Sequence, residues 1–247
     1  MSNSSIFRHP IGDESKPFNE WSISSDYLYH WEDSTIGGDR NYHTGVDWNW
    51  GGGDDDLGAS VYAIGDGEII YSGFLSDAWG NGVIIRHDLP GSISDGHDDG
   101  YVYSFYAHLQ NLNHSLLNSG EHQRLNNEGS FIDVSIGDKI AEIGPYNAYE
   151  GATSHLHFEM RWKNDFVQNE WGWIYGASED DAARRATERG WLDAYDFIQN
   201  LIEEGVDYPA DQTTHGNIVV REPEEDQAWG MLEEEGDSDW FRVELEA

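Results

Sequence analysis

An all-β antiparallel sandwich or barrel is the fold class this sequence predicts, and three observations predict it. Short runs rich in β-branched and aromatic residues recur between positions 43 and 160. Gly, Asp and Asn steps of the turn-forming kind separate them. No helical periodicity intervenes between the runs, and regular strands without crossover helices pair antiparallel.

Taken in order, residues 1–42 carry scattered aromatics (Phe18, Trp21, Tyr27, Tyr29, Trp31) without clear periodicity, and read as a wrapping segment with one short strand. The run 60–64 leads through Gly65-Asp66-Gly67 into 68–72, a strand, a turn and a strand. Residues 82–87 and 101–106 form another pair around an Asp/Gly/Ser-rich loop at 88–100. A further hairpin spans 133–136 and 139–143 across Gly137-Asp138, and 156–162 closes the set.

The pattern changes after Trp162. Ser178 followed three residues later by Asp181 has the form of a helix N-cap. A short helix is expected over 182–189, stopped at Gly190. Trp191, Leu192, Tyr195, Ile198, Leu201 and Ile202 have helical spacing and predict a second helix over 191–204, ended by Gly205. The expected organisation is therefore a domain over 43–205 with a helical extension at 163–205. An acidic tail at 206–247 follows, read as the start of a second β-domain because 239–245 resembles a strand.

Composition narrows the function. Against 13 Lys and Arg stand 48 Asp and Glu, a net charge of −35. Such a surface repels nucleic acid and anionic membranes, so neither is an expected partner. Near 1 M salt the Debye length falls to about 3 Å and the self-repulsion is largely screened, which suggests a saline setting. The absence of cysteine excludes thiolate metal sites, disulfides and cysteine nucleophiles. No apolar run is long enough to span a membrane, and the N-terminus has no apolar core of a signal peptide.

Of eleven histidines, His9, His30, His114, His122 and His215 lie in polar, irregular surroundings and are expected to face solvent. His87 and His97 flank an acidic loop and read as surface residues. His155 and His157 differ, because residues i and i+2 of a strand share one face, roughly 6.5–7 Å apart. Two imidazoles so placed can share a site, one on a metal and one addressing substrate. In His43-Thr44-Gly45-Val46-Asp47 an extended chain lets His43 and Asp47 converge from one side. Two imidazoles and a carboxylate suit zinc and leave a fourth position open for water. His108, in Tyr106-Ala107-His108-Leu109 at a strand end, gains weight beside these two motifs.

Together these pieces resemble the lysostaphin-like or LytM-type zinc endopeptidases that cut peptidoglycan cross-links. The resemblance runs from about 35 to 160 through Arg40–Asp47, Val61-Tyr62-Ala63, Gly65-Asp66-Gly67 and Gly80-Asn81-Gly82. It continues with Tyr106–Leu109, Ile136–Ile140 and Ser154–Glu159, in the family's order and spacing. It implies a mainly β fold of the duplicated-hybrid-motif type, with Zn²⁺ on His43, Asp47 and His157. His108 and His155 are then the catalytic histidines off the metal. The expected activity is metal-assisted hydrolysis of peptide cross-links in peptidoglycan or another extended peptide, outside the cell or in its envelope. The alternatives are a wall-binding or activator module of the same fold with little hydrolysis, and a sugar-transport phosphocarrier, which would have no use for Asp47. Three insertions depart from the family. Residues 48–57 carry Gly51-Gly52-Gly53 and Asp54-Asp55-Asp56, and 88–100 and 163–190 are long. They are expected to wall the groove, with the Asp run read as solvated charge rather than a Ca²⁺ site.

Overall fold

The computed structural model describes residues 7–36, 39–77, 79–89, 101–113, 131–145, 153–162 and 172–203. The acidic tail at 206–247, most of the 88–100 loop, and His97, His114, His122 and His215 lie outside the described residues. The strands are β1 (Trp21–Ser25), β2 (His30–Ile36), β3 (Asp39–His43), β4 (Val46–Trp50), β5 (Ser60–Tyr62), β6 (Gly67–Ser76) and β7 (Gly80–Asp88). They continue as β8 (Tyr101–Gln110), β9 (Ile132–Val134), β10 (Lys139–Ile143), β11 (Leu156–Arg161), β12 (Trp173–Gly176) and β13 (Trp191–Leu192). The helices are α1 (Glu179–Glu188) and α2 (Ala194–Glu203).

Pairing is antiparallel in every ladder, and the molecule is mainly β, as the turn-punctuated strand pattern predicts. The main path of a ten-stranded sheet runs β1-β4-β11-β8-β7-β6-β9, and β12-β3-β2 form a second, smaller sheet. Period-two alternation divides the large sheet into two faces. Val46 and Trp48 of β4, Tyr106 and Leu109 of β8, and Leu156, Phe158 and Met160 of β11 bury on one face in the main core. Phe105 and Ala107 belong to a separate cluster with Tyr71, Ile84 and Tyr103.

Several expectations need correction. The strands at 133–136 and 139–143 do not form a hairpin with each other, because β9 pairs with β6 and β10 with β5 and β8. The stretch before residue 43 supplies three strands rather than one. HWEDSTI and DRNYH lack alternation and WSISS alternates over only four residues, so these strands are set by their partners, β1 by β4 and β3 by β2 and β12. Trp191 and Leu192 are not helical. They pair with Arg161 and Met160, and α2 starts after Asp193, whose Oδ1 accepts the Asp196 N–H at 3.1 Å. Helical spacing of apolar residues does not say where a helix begins, and a capping carboxylate does. The other cap stands as read: Ser178 Oγ accepts from the Asp181 N–H at 3.2 Å.

Nor is His87 on the surface. It is fully buried in β7, where Nδ1 donates to the Asp66 carbonyl at 2.9 Å and Nε2 lies 2.8 Å from Ser104 Oγ. A carbonyl only accepts, so Nδ1 carries the proton and Nε2 takes the Ser104 hydroxyl proton. His9 is likewise half-buried, stacked on Phe18 with ring centroids 3.6 Å apart. Burial pushes the His87 imidazole down to about 4. Between that value and the unfolded value near 6.5 the unfolded chain binds more protons, so stability rises with pH through this window and is lost as pH falls. The expected contribution is about 3 kcal/mol, from roughly 1.36 kcal/mol per pKa unit. Urea midpoints at pH 7.5 and 4.5 check this: His87→Gln should show a smaller loss on acidification than the parent, and an equal loss would refute it.

Candidate metal centre

The alternation that buries Leu156, Phe158 and Met160 turns His157, Glu159 and Arg161 to the opposite face of β11. His157 lies between Asp47 on β4 and Ala107 on β8 in register, which brings the Asp47 carboxylate directly beside it. His43 arrives from the small sheet, at the end of β3. The chain crosses between the sheets at Thr44 and Gly45, so His43 and Asp47 converge across a crossover and not along one extended strand. Gly45 makes this possible: a Cβ there would stand 2.6 Å from the Phe158 carbonyl oxygen and 2.9 Å from His157 Cε1.

Three donor atoms meet as a result. His43 Nε2 is 2.9 Å from His157 Nδ1, His157 Nδ1 is 3.0 Å from Asp47 Oδ1, and His43 Nε2 is 3.3 Å from Asp47 Oδ1. Nitrogen and oxygen ligands at 2.0–2.1 Å from a tetrahedral ion stand about 3.3 Å apart, so this triangle has the size of one face of such a shell. The far nitrogens are occupied in the sense that a metal needs. His43 Nδ1 points at the Asp26 carbonyl at 3.2 Å, and His157 Nε2 at Glu159 Oε1 at 2.9 Å. Each acceptor takes the ring proton and leaves the inward nitrogen its lone pair.

The electrostatics favour a cation. Burial opposes ionisation of Asp47, yet His43 and His157 hold its carboxyl well below the usual carboxylate range. Burial opposes charge on His157 as well, but the bonds to Asp47 and Glu159 push it up to about 9. A pocket with two ionised carboxylates that binds a proton this firmly fits a divalent ion and two imidazoles in place of that proton.

His108 and His155 flank the triangle. Their rings meet edge to face with centroids 4.6 Å apart, and His155 Nε2 is 3.8 Å from Asp47 Oδ1. His108 faces this side because of an irregularity in β8. Between Tyr106 and Leu109, both in the core, the partner strand advances only from Val83 to Asn81. The extra residue is a bulge, and His108 sits in it with φ 60°. Two consecutive side chains, Ala107 and His108, therefore leave the core. Burial, with His155 and His157 nearby, lowers the His108 pKa well below its ordinary value and keeps the ring neutral. All five residues singled out in the sequence thus stand in one cluster.

Four participants carry no role in the sequence pattern: Glu159, Trp79, Gly172 and the Asp26 carbonyl. Glu159 Oε1 accepts from His157, from the Thr44 hydroxyl at 2.8 Å and from the Gly172 N–H at 2.7 Å, while Oε2 accepts from Trp191 Nε1 at 3.0 Å. These bonds hold its carboxyl down to about 2 against full burial. Its place two residues after His157, on the same strand face, is a signal that could have found it. Trp79 stacks on His108 at 5.3 Å with 7° between planes and meets the His157 ring edge-on at 4.9 Å. Gly172, at φ 77°, closes over it, since a Cβ there would lie 2.1 Å from Trp79 Cη2. Neither Trp79 nor the Asp26 carbonyl carries any local signal of its partner. Glu159→Gln should weaken divalent-metal binding by about 10- to 100-fold. Competition with a chelating dye measures it, and unchanged affinity would remove Glu159 from the site.

The sequence model of peptidase family M23 matches residues 41–169, just over half of the 247 residues. The chain belongs to peptidase family M23, and the activity class that follows is peptide hydrolysis. It is similar to the catalytic domain of the antimicrobial peptidase lysostaphin from Staphylococcus simulans, with 19% identity over 73% of this chain and 94% of that one, at a TM-score of 0.41. A zinc containing peptidase from Vibrio cholerae is similar at 22% identity, over 64% of this chain and 36% of that one, with a TM-score of 0.39. A chain in a complex of SpoIIIAH and SpoIIQ is similar at 14% identity, over 78% of this chain and 99% of that one, with a TM-score of 0.44. No curated protein sequence matches.

Proposed function

We propose that the chain is a zinc-dependent endopeptidase that hydrolyses peptide cross-links in peptidoglycan, outside the cell or in its envelope. The observation that carries this reading is the triangle of His43 Nε2, Asp47 Oδ1 and His157 Nδ1, with His108 and His155 on the same face. Zinc held there would supply a Lewis acid and bring the pKa of a water toward about 7.

The chain's own residues do the rest. His43, Asp47 and His157 would hold the ion, and Glu159 and the Asp26 carbonyl fix the two imidazole rings. His108, neutral in its buried bulge, and His155 take the proton of the attacking water or donate to the oxygen of the scissile carbonyl as charge develops on it. Trp79 holds the plane of His108 by stacking.

The test is release of new amino groups from purified peptidoglycan, abolished by a chelator and restored by zinc. Zinc uptake without release would leave a wall-binding or activator module of the same fold. The charge of −35 adds a proposal about setting. Molar salt should raise the unfolding temperature by several degrees relative to low salt, because screening shortens the Debye length to about 3 Å. A melting curve indifferent to salt would overturn the saline reading.

A further inference from the structure

The acidic run Asp54-Asp55-Asp56 is not solvated charge throughout: Asp54 and Asp55 are exposed, but Asp56 is buried. Gly51 and Gly53 adopt φ 72° and 63°, and the loop closes on itself through Asp55 N–H to the Gly52 carbonyl at 3.4 Å and Leu57 N–H to the Asp54 carbonyl at 3.1 Å. Lys16 Nζ donates to the Asp55 carbonyl at 2.8 Å, and Gly58 N–H to the Ile143 carbonyl at 2.9 Å. Asp55 folds back on the loop, its Oδ2 accepting from the Gly52 N–H at 3.1 Å, while Asp56 is fully buried.

What this loop grips is one residue. Ser154 N–H donates to Asp54 Oδ1 at 2.8 Å, its hydroxyl donates to Asp56 Oδ1, and its carbonyl accepts from Asn49 Nδ2 at 2.9 Å. Every polar group of Ser154 is thus bonded to the segment 49–56. Ser154 precedes His155, and His155 Nδ1 lies 3.0 Å from the Thr153 carbonyl. That carbonyl and the Ser154 N–H belong to the same peptide group. A trans peptide is planar, with its N–H and C=O pointing in opposite directions, so fixing one end fixes the other. An anionic acceptor on the N–H also polarises the group and strengthens its carbonyl as an acceptor.

We propose that Asp54 and Asp56 are positioning residues for His155, acting through the Thr153–Ser154 peptide. Asp54 aligns that peptide so that its carbonyl takes the Nδ1 proton of His155. Asp56 and Asn49 hold Ser154 so that the peptide cannot turn. The proton is thereby kept on Nδ1, and Nε2, 3.8 Å from Asp47 Oδ1, is left as the ring's acceptor. This deepens the peptidase reading, on which the role of His155 rests.

The test uses the zinc-loaded chain with Asp54→Ala, Asp54→Asn and Asp56→Ala. Long-range nitrogen–proton NMR reports the His155 tautomer. The parent should show the Nδ1–H form, and Asp54→Ala a mixture with a shifted ring signal. Turnover on peptidoglycan should fall about tenfold or more, with KM and zinc affinity within about twofold. Asp54→Asn keeps an acceptor for the Ser154 N–H and should restore most of both. Asp54 is exposed, so its variants fold even where Asp56→Ala does not. An unchanged His155 tautomer and ring shift in Asp54→Ala overturns the proposal. If the parent itself releases nothing from peptidoglycan, the hydrolase reading fails, while the NMR result still decides this one.

Discussion

Replacing His157 by alanine should abolish metal binding and turnover together. Two donors remain, His43 and Asp47, and the triangle that matches one face of a tetrahedral shell is gone. Apparent binding energies of about 10–16 kcal/mol for four-ligand zinc sites imply roughly 3 kcal/mol per ligand, so the affinity should drop by a hundredfold or more. The variant should also lose stability. His157 is 2% exposed, and its ring lies between Asp47 and Glu159, bonded to both. Removing it leaves two buried carboxylates facing a cavity, a defect that costs about 3–5 kcal/mol. Elemental analysis after dialysis and a urea melt check both effects. Stoichiometric zinc at parental affinity would dismiss His157 as a ligand.

His108→Ala should behave in the opposite way. The His108 ring stands 6.0 Å between centroids from His157 and is outside the donor triangle. Metal content should therefore stay at the parental level. Turnover should fall by about 10²- to 10⁴-fold, the usual worth of a positioned acid or base, with KM little changed. The substitution keeps a non-glycine residue at φ 60°, so it adds no new backbone strain. Full activity in this variant would show that His108 is not part of the chemistry.

Much of this was legible in the sequence for identifiable reasons. The strands of 60–143 announce themselves by β-rich runs and Gly-Asp turns, and the structure has them within a few residues. The grouping of His43, Asp47 and His157 was legible through the family resemblance of their motifs, and the structure supplies the register that sets Asp47 beside His157. What escaped depends on contacts distant in sequence. Trp21 pairs with Trp50, and the Asp26 carbonyl meets a ring 17 residues on, with nothing local to foretell either. His87 was misjudged because its acidic flank hides a strand that runs through the core, where Ser104 and the Asp66 carbonyl satisfy both ring nitrogens. The Asp54–Asp56 run reads as solvated charge until the partner, Ser154, about a hundred residues later, is seen.

The bulge in β8 has a consequence for how this chain can vary. Tyr106 and Leu109 belong to the core, and Ala107 and His108 leave it together only because one strand is a residue longer than its neighbour. Run β8 on from Tyr106 in strict alternation, without the bulge, and His108 would turn into the apolar interior and Leu109 out of it, with the sequence itself unchanged. Strand length at this point, counted in single residues, is therefore as much a part of the active centre as the histidine itself.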